Sequence, residues 1–246
     1  MKTKIAITLD VEWASDEIID YISSIFLKNN IKSTWLVTHP SESMKRILKN
    51  SELFEAGIHP NFMSNTTQGK NMDEIMSYLL KICPQAKIMR THCLYQSTHI
   101  FDAILEKFPS IKIDVSLFLP YCRNIEQHKL YVCSCYPQRY MVRIPYVWED
   151  DLELRSPNPA FKFNENKFSG SGLKILNFHP LYIALNSNSW DSYLNFKKNY
   201  TSRFQEISLK EVFKYRQNRE GIENFLIDLL QNKNLEFLHI GEALNL

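Results

Sequence analysis

Residues able to ligate metal or move protons recur in this sequence just after short apolar runs. Asp10 and Glu12 close KIAITLDVE, His39 follows STWLVT, His59 follows FEAGI, Arg90 and His92 follow AKIM, and His179 follows KILNF. Four of the seven histidines thus stand at predicted strand ends, and His239, after the last such run, is a fifth candidate. A lone histidine there is usually a satisfied structural group. Several converging with two carboxylates are harder to assign to packing. Asp10 and Glu12 are two apart and so share one side of an extended strand. One can ligate a divalent cation while the other accepts a proton. The competing role for Glu12, capping the next helix, is already filled by Ser15. A zinc-type site takes imidazole nitrogen and carboxylate oxygen and keeps a position open for water. Asp10 or Glu12 with His59 gives two ligands, and His92 and His39 are the candidates for a third.

These residues converge only if the runs are parallel strands of one sheet. Candidate strands are Lys4–Leu9, Lys32–Val37, Glu55–Ile58, Ala86–Met89, Lys112–Val115, Met141–Ile144, Lys174–Phe178 and Glu236–Leu238. Helical periodicity fills the intervals at Asp16–Lys28, Ser43–Leu48, Met72–Ile82, Thr98–Lys107 and Leu209–Leu230. This alternation predicts an α/β fold, a (β/α) barrel whose active residues gather at the strand C-termini. Leu152–Ser171, with Pro157, Pro159, Gly170 and Gly172, reads as a surface loop, and Asn188–Arg203 as an insertion covering the site. No linker or repeat divides residues 1–246, so one domain is expected.

Composition narrows the function classes. The chain has 44% hydrophobic and 23% charged residues with a formal net charge of +2, which excludes disorder and gives no basic stripe for nucleic acid. No apolar run is long enough to span a bilayer, and the N-terminus lacks the pattern of a signal peptide, so the cytoplasm is the expected address. Five cysteines (Cys83, Cys93, Cys122, Cys133, Cys135) without zinc-finger spacing read as reduced thiols. Oligomeric state is not legible.

With these residues in order, the chain resembles the polysaccharide deacetylase superfamily, the NodB-homology proteins akin to carbohydrate esterase family 4. The resemblance rests on TLDVE at Asp10–Glu12, GIHP at Gly57–Pro60, MRTHCLYQS from Arg90 and NFHPLYIALNS from His179, and spans roughly Lys4 to Ser187. DVEWASDE, THPS, GIHPNF and RTHCLYQS are similar, more narrowly, to the WbmS-like branch encoded with bacterial surface-polysaccharide genes. It implies a distorted (β/α) barrel of seven to eight parallel strands and hydrolysis of an N-acyl (acetyl or formyl) amino sugar with a divalent metal, most simply zinc. It further implies Asp10 as general base, Glu12 and His59 as metal ligands, Arg90 as the partner that keeps the base ionised, and His179 as the acid for the departing amine. In WEDD, Glu149 or Asp150 would tune His179, and Trp148 would stack on a sugar. Backbone amides after His92 would serve as oxyanion donors.

Two departures stand out. Val11 separates the acidic pair, and Met63 occupies the place of a second histidine four residues after His59. His92 is the preferred replacement ligand and His39 the second choice. The missing histidine motivates one alternative, a metal-free amide hydrolase on the same fold. Another is an inert glycan-binding relative using Trp13, Trp148 and Trp190.

Overall fold

The computed structural model describes residues 2–12, 14–131, 138–200 and 204–242. Trp13, Cys133, Cys135 and the last residues of Asn188–Arg203 lie outside them. The described strands are β1 (Thr3–Asp10), β2 (Ser33–Val37), β3 (Phe54–Ile58), β4 (Ile88–Met89), β5 (Ile113–Asp114), β6 (His128–Tyr131), β7 (Tyr140–Arg143), β8 (Trp148–Glu149), β9 (Lys174–Phe178) and β10 (Leu235–Phe237). The described α-helices are α1 (Asp16–Asn29), α2 (Glu42–Ile47), α3 (Met72–Ile82), α4 (Thr98–Lys107), α5 (Asp150–Arg155), α6 (Pro180–Ala184), α7 (Trp190–Asn199), α8 (Leu209–Phe213) and α9 (Ile222–Gln231).

All eight expected strands are present within a residue or two. They lie in one curled sheet ordered β6-β7-β5-β4-β3-β2-β1-β9-β8, with β10 also on β1. The pairings are parallel except that of β6 with β7, so the sheet is mixed and has one antiparallel edge strand that the apolar pattern missed. β6 is exposed apart from the half-buried Leu130, which leaves little hydrophobic signal to read. The run from β7 to β8 distorts the barrel. Its first half pairs with β5 (Ile113↔Val142) and its second with β9 (Trp148↔Leu176), with a bridge between Phe118 and Tyr146 on the way. A single stretch of chain, from β7 through Pro145 to β8, thereby spans the gap between β5 and β9.

Helix termini follow local chemistry. Ser15, Ser41, Asn71 and Ser97 each accept a backbone N–H with the side chain at the N-cap of α1, α2, α3 and α4. The apolar face of α1 (Ile18, Ile19, Ile22, Phe26) is buried, and Phe26 meets the outward face of β2 edge-to-face at Trp35, 6.3 Å between centroids. Leu209–Leu230 is not one helix. It breaks between α8 and α9 because Gln217 N–H donates to Leu185 O, and Asn186 Nδ2 donates to Gln217 O and Arg219 O. Pairing of this stretch with the turn after α6 outweighs its helical periodicity. Leu152–Ser171 is likewise more than a loop: it starts inside α5 and holds a 3₁₀ turn at Glu165–Phe168. No helix among the described residues is long and apolar enough to cross a membrane.

Gly57, on β3 two residues before His59, faces the barrel interior. A Cβ there would lie 2.4 Å from Leu36 Cδ2 and 2.9 Å from Ile88 O, so the three strands approach more closely than any side chain permits. Gly57→Ala is expected to lower stability by about 1–3 kcal/mol through overpacking. Urea unfolding checks this, and an unchanged midpoint contradicts the close approach.

Candidate active site

The strand C-termini of β1, β3, β4, β8 and β9 open at one mouth of the barrel, and their polar side chains meet there. Asp10 and Glu12 come from β1 and the turn after it, His59 follows β3, Arg90 and His92 follow β4, Glu149 ends β8 and Asp150 opens α5, and Asn177 lies on β9 with His179 directly after it. Asp10, Glu12, His59, Arg90, Asp150, Asn177 and His179 are all buried.

Arg90 lies under the floor. Its Nη1 donates to Asp10 Oδ1 at 3.1 Å, to Thr8 Oγ1 at 2.9 Å and to Asn177 Oδ1. Its Nε donates to Val115 O at 3.1 Å, and its guanidinium carbon sits 4.5 Å from the centre of the Tyr146 ring. Asn177 completes the network: Nδ2 donates to Asp10 Oδ2 at 2.8 Å and to Glu149 Oε1 at 3.2 Å, while Oδ1 accepts from Arg90 and from Thr8 Oγ1. Burial pushes the Asp10 carboxyl upward, but the charges of His59, Arg90 and His179 outweigh it and hold Asp10 below its ordinary range.

On one side of Asp10 stand Glu12, His59 and His92. Glu12 Oε1 is 3.0 Å from His59 Nε2 and 2.5 Å from His92 Nδ1, and the two ring nitrogens are 3.3 Å apart. His59 Nδ1 is 3.5 Å from Asp10 Oδ1. Burial opposes ionisation of Glu12, yet hydrogen bonds from His59 and His92 prevail and push its pKa far down. Glu12 in turn draws His92 upward against its own burial. Two imidazole nitrogens crowded on one carboxylate oxygen need positive charge between them, and one nitrogen–nitrogen–oxygen face suits a divalent cation. The residues present therefore fit a metal, with Glu12, His59 and His92 as the donors that lie within 4.8 Å of one another.

On the other side stands His179. Asp150 accepts from both its ring Nδ1 and its backbone N–H, each at 2.7 Å, so Nε2 is turned to the pocket, 4.0 Å from Asp10 Oδ2. Burial favours neutral imidazole, but Asp150 outweighs it and raises the His179 pKa well above the ordinary value. Tyr182 stands against the His179 ring at 5.2 Å and Tyr193 of α7 packs edge-to-face on Tyr182 at 4.9 Å. The segment read as a covering insertion thus places α7 against Tyr182, which in turn stands on the His179 ring.

Three candidates do not join. His39 has both ring nitrogens occupied, Nδ1 by Thr38 Oγ1 at 2.7 Å and Nε2 by Ala14 O at 3.1 Å, which makes it a brace between loops instead of a ligand. Trp148 is only 3% exposed, stacks on Phe225 at 4.5 Å and donates its indole N–H to Glu153, so no face remains for a sugar. His239 falls short of the mouth because β10 pairs only with the first half of β1, Ile5↔Phe237 being the last partners. The amides of Leu94 and Tyr95 after His92 close their own turn on Thr91 O and His92 O and are not oxyanion donors. Met63 is exposed on the loop after His59. Thr8, Asn177 and Tyr146 escaped sequence reasoning. Asn177 and Thr8 carried a signal, since each stands two residues before a predicted site residue, His179 and Asp10, and shares its face.

The curled (β/α) barrel that brings these groups to one mouth is the fold of the polysaccharide deacetylases. More narrowly, the chain belongs to the WbmS-like polysaccharide deacetylase family, whose model matches residues 7–197. Its structure is similar, at TM-score 0.76 and 24% identity over 93% of this chain and 90% of the other, to a Bordetella bronchiseptica protein described as a polysaccharide deacetylase of O-antigen biosynthesis. It is also similar to the T48 deacetylase solved with substrate, at TM-score 0.52 and 10% identity over 99% and 92% of the two chains. Among curated proteins no significant match was found.

Removing the Asn177 side chain strips hydrogen bonds from Asp10, Glu149 and Arg90 together. Asn177→Ala is expected to cost about 1–3 kcal/mol, the price of leaving buried polar groups unpaired, as measured by urea unfolding. A change within error shows that the network does not depend on this amide.

Proposed function

We propose that the protein is a metal-dependent hydrolase that removes an N-acyl group from an amino sugar during surface-polysaccharide assembly. The observation that carries this reading is the pair Asp10 and His179, 4.0 Å apart at one pocket and held in opposite protonation states by Arg90 and Asp150. A pocket with one ready base and one ready acid suits a reaction in which water loses a proton and an amine gains one.

Asp10 is the base. Both its oxygens accept hydrogen bonds, from Arg90 and from Asn177, so it stays ionised and aimed at the pocket. It takes the proton of the water that attacks the acyl carbon. His179, its Nδ1–H fixed on Asp150, gives the Nε2 proton to the amine nitrogen as the C–N bond breaks. Glu12, His59 and His92 would hold the divalent ion. When bound, such an ion lowers the pKa of water and polarises a carbonyl. Membership of a family named for polysaccharide deacetylation supports the sugar amide as substrate, and the O-antigen assignment of the Bordetella protein supports a place in glycan assembly. Two of the three aromatic platforms of the inert-binder alternative are engaged within the protein: Trp148 is buried, and Arg155 lies over Trp190 with its guanidinium carbon 3.8 Å from the ring centre. The domain reading is a single catalytic unit, and zinc in the cytoplasm remains the simplest setting.

Asp10→Asn and His179→Ala should each cut turnover on an N-acetylated amino sugar by about 10²–10⁴-fold while circular dichroism at the assay temperature keeps the parent's folded spectrum, the melting temperature falling in Asp10→Asn, which strands the buried Arg90 charge. Because Asp10 is depressed and His179 raised, the rate should fall on the acid side only below 3.8 and on the alkaline side only above 6.5. Full activity in both variants rejects the assignment.

Metal content separates this reading from the metal-free hydrolase. The purified protein should hold a divalent ion by elemental analysis, lose its activity to a chelator and regain it on re-addition, and His92→Ala should lower the bound metal. Activity that survives complete removal of metal supports the alternative.

A further inference from the structure

A second set of donors adjoins the first. Asp10, Glu149 and His179 each direct one ligand atom into a common space, all within 4.8 Å of one another. His179 is already backed by a carboxylate on Nδ1, the arrangement that orients imidazole ligands in metal sites. Glu149 is held only by neutral donors, Tyr146 Oη at 3.0 Å and Asn177 Nδ2 at 3.2 Å. Among the described residues it makes no ion pair within 4.0 Å, unlike Asp10 with Arg90 or Asp151 with Arg155.

Charge at the mouth points the same way. Asp10, Glu12, Glu149, Asp150 and Asp151 meet there with Arg90 and Arg155 as their arginine partners, and Glu149, Asp150 and Asp151 all feel His179 or each other at short range. Even with His179 protonated on Asp150, five carboxylates outnumber these three cationic partners, so the mouth is net negative around the second set.

We propose that Asp10, Glu149 and His179 form a second, weaker site for a divalent cation, whose occupation inhibits hydrolysis by tying up the base and the acid at once. The inhibitory part rests on the roles proposed above, whereas the binding part stands without them. The site is the weaker of the two because Arg90 repels a cation beside Asp10, Asn177 already engages Asp10 Oδ2, and the ion must displace the proton that Asp150 helps His179 to hold.

Metal-free full-length protein is titrated with Zn²⁺ alone, by calorimetry and by native mass spectrometry. The expected result is two equivalents for the wild type, the weaker lost in Glu149→Gln and the tighter lost in His92→Ala. Hydrolysis by the wild type should rise with the first equivalent and fall with the second. In Glu149→Gln the fall should vanish, measured against that variant's own rate. A single equivalent in the wild type, or two retained in Glu149→Gln, overturns the site; the wild-type count decides even where a variant fails to fold. Two equivalents without a fall in rate overturn the inhibition. Two equivalents in a protein that hydrolyses no amino-sugar amide leave the site standing and overturn the proposed function instead.

Discussion

A buried arginine organises this site. Arg90 is 1% exposed and sits where a charge is tolerable only if paired and hydrogen-bonded. Asp10, Asn177, Thr8, Val115 O and the Tyr146 ring surround it. These partners come from β1, β9, the end of β5 and the β7–β8 run, so the contacts that one guanidinium makes through Nη1, Nε and its face tie four stretches of backbone. Breaking such a pair costs about 3–5 kcal/mol, largely because the remaining charge is stranded. The same contact keeps Asp10 ionised, which joins the stability of the floor to the chemistry above it.

Above that floor the two flanks of Asp10 differ. Glu12, His59 and His92 form a face of bare donors that calls for a cation, whereas His179 is held by Asp150 from behind and shielded by Tyr182 and Tyr193. His92 takes up a position beside His59 because β4 neighbours β3 and its chain continues straight past Arg90: His92 N–H donates to Pro60 O, which ties the two strand ends together. A histidine two residues after the arginine thus occupies the third donor position of the face, and Met63 on its exposed loop has no part in it.

The sequence made the barrel legible because its central strands are buried on both faces and therefore read as continuous apolar runs. β6, half-exposed at the sheet edge, and the two-residue β8 carried no such pattern. Leu209–Leu230 misled because periodicity reports which residues can face a core and says nothing of Asn186, whose hydrogen bonds from a remote turn interrupt the helix. Trp148 misled for a related reason. An aromatic beside acidic residues looks the same whether its ring faces a pocket or, as here, Phe225.

By itself the sequence determined which side chains stand at strand ends, since alternation and strand length are local properties, and it thereby named Asp10, Glu12, His59, Arg90, His92 and His179. Their partnerships were decided by the tertiary structure alone. His92 and His39 are equivalent by position, yet one reaches Glu12 and the other is consumed by Thr38 and Ala14. Asp150 and Glu149 are neighbours in one motif, yet one grips His179 and the other meets Asn177. Hydrogen bonds depend on distances of about 3 Å between atoms. Across the 80 residues between Glu12 and His92, only sheet register and curvature set distances that fine.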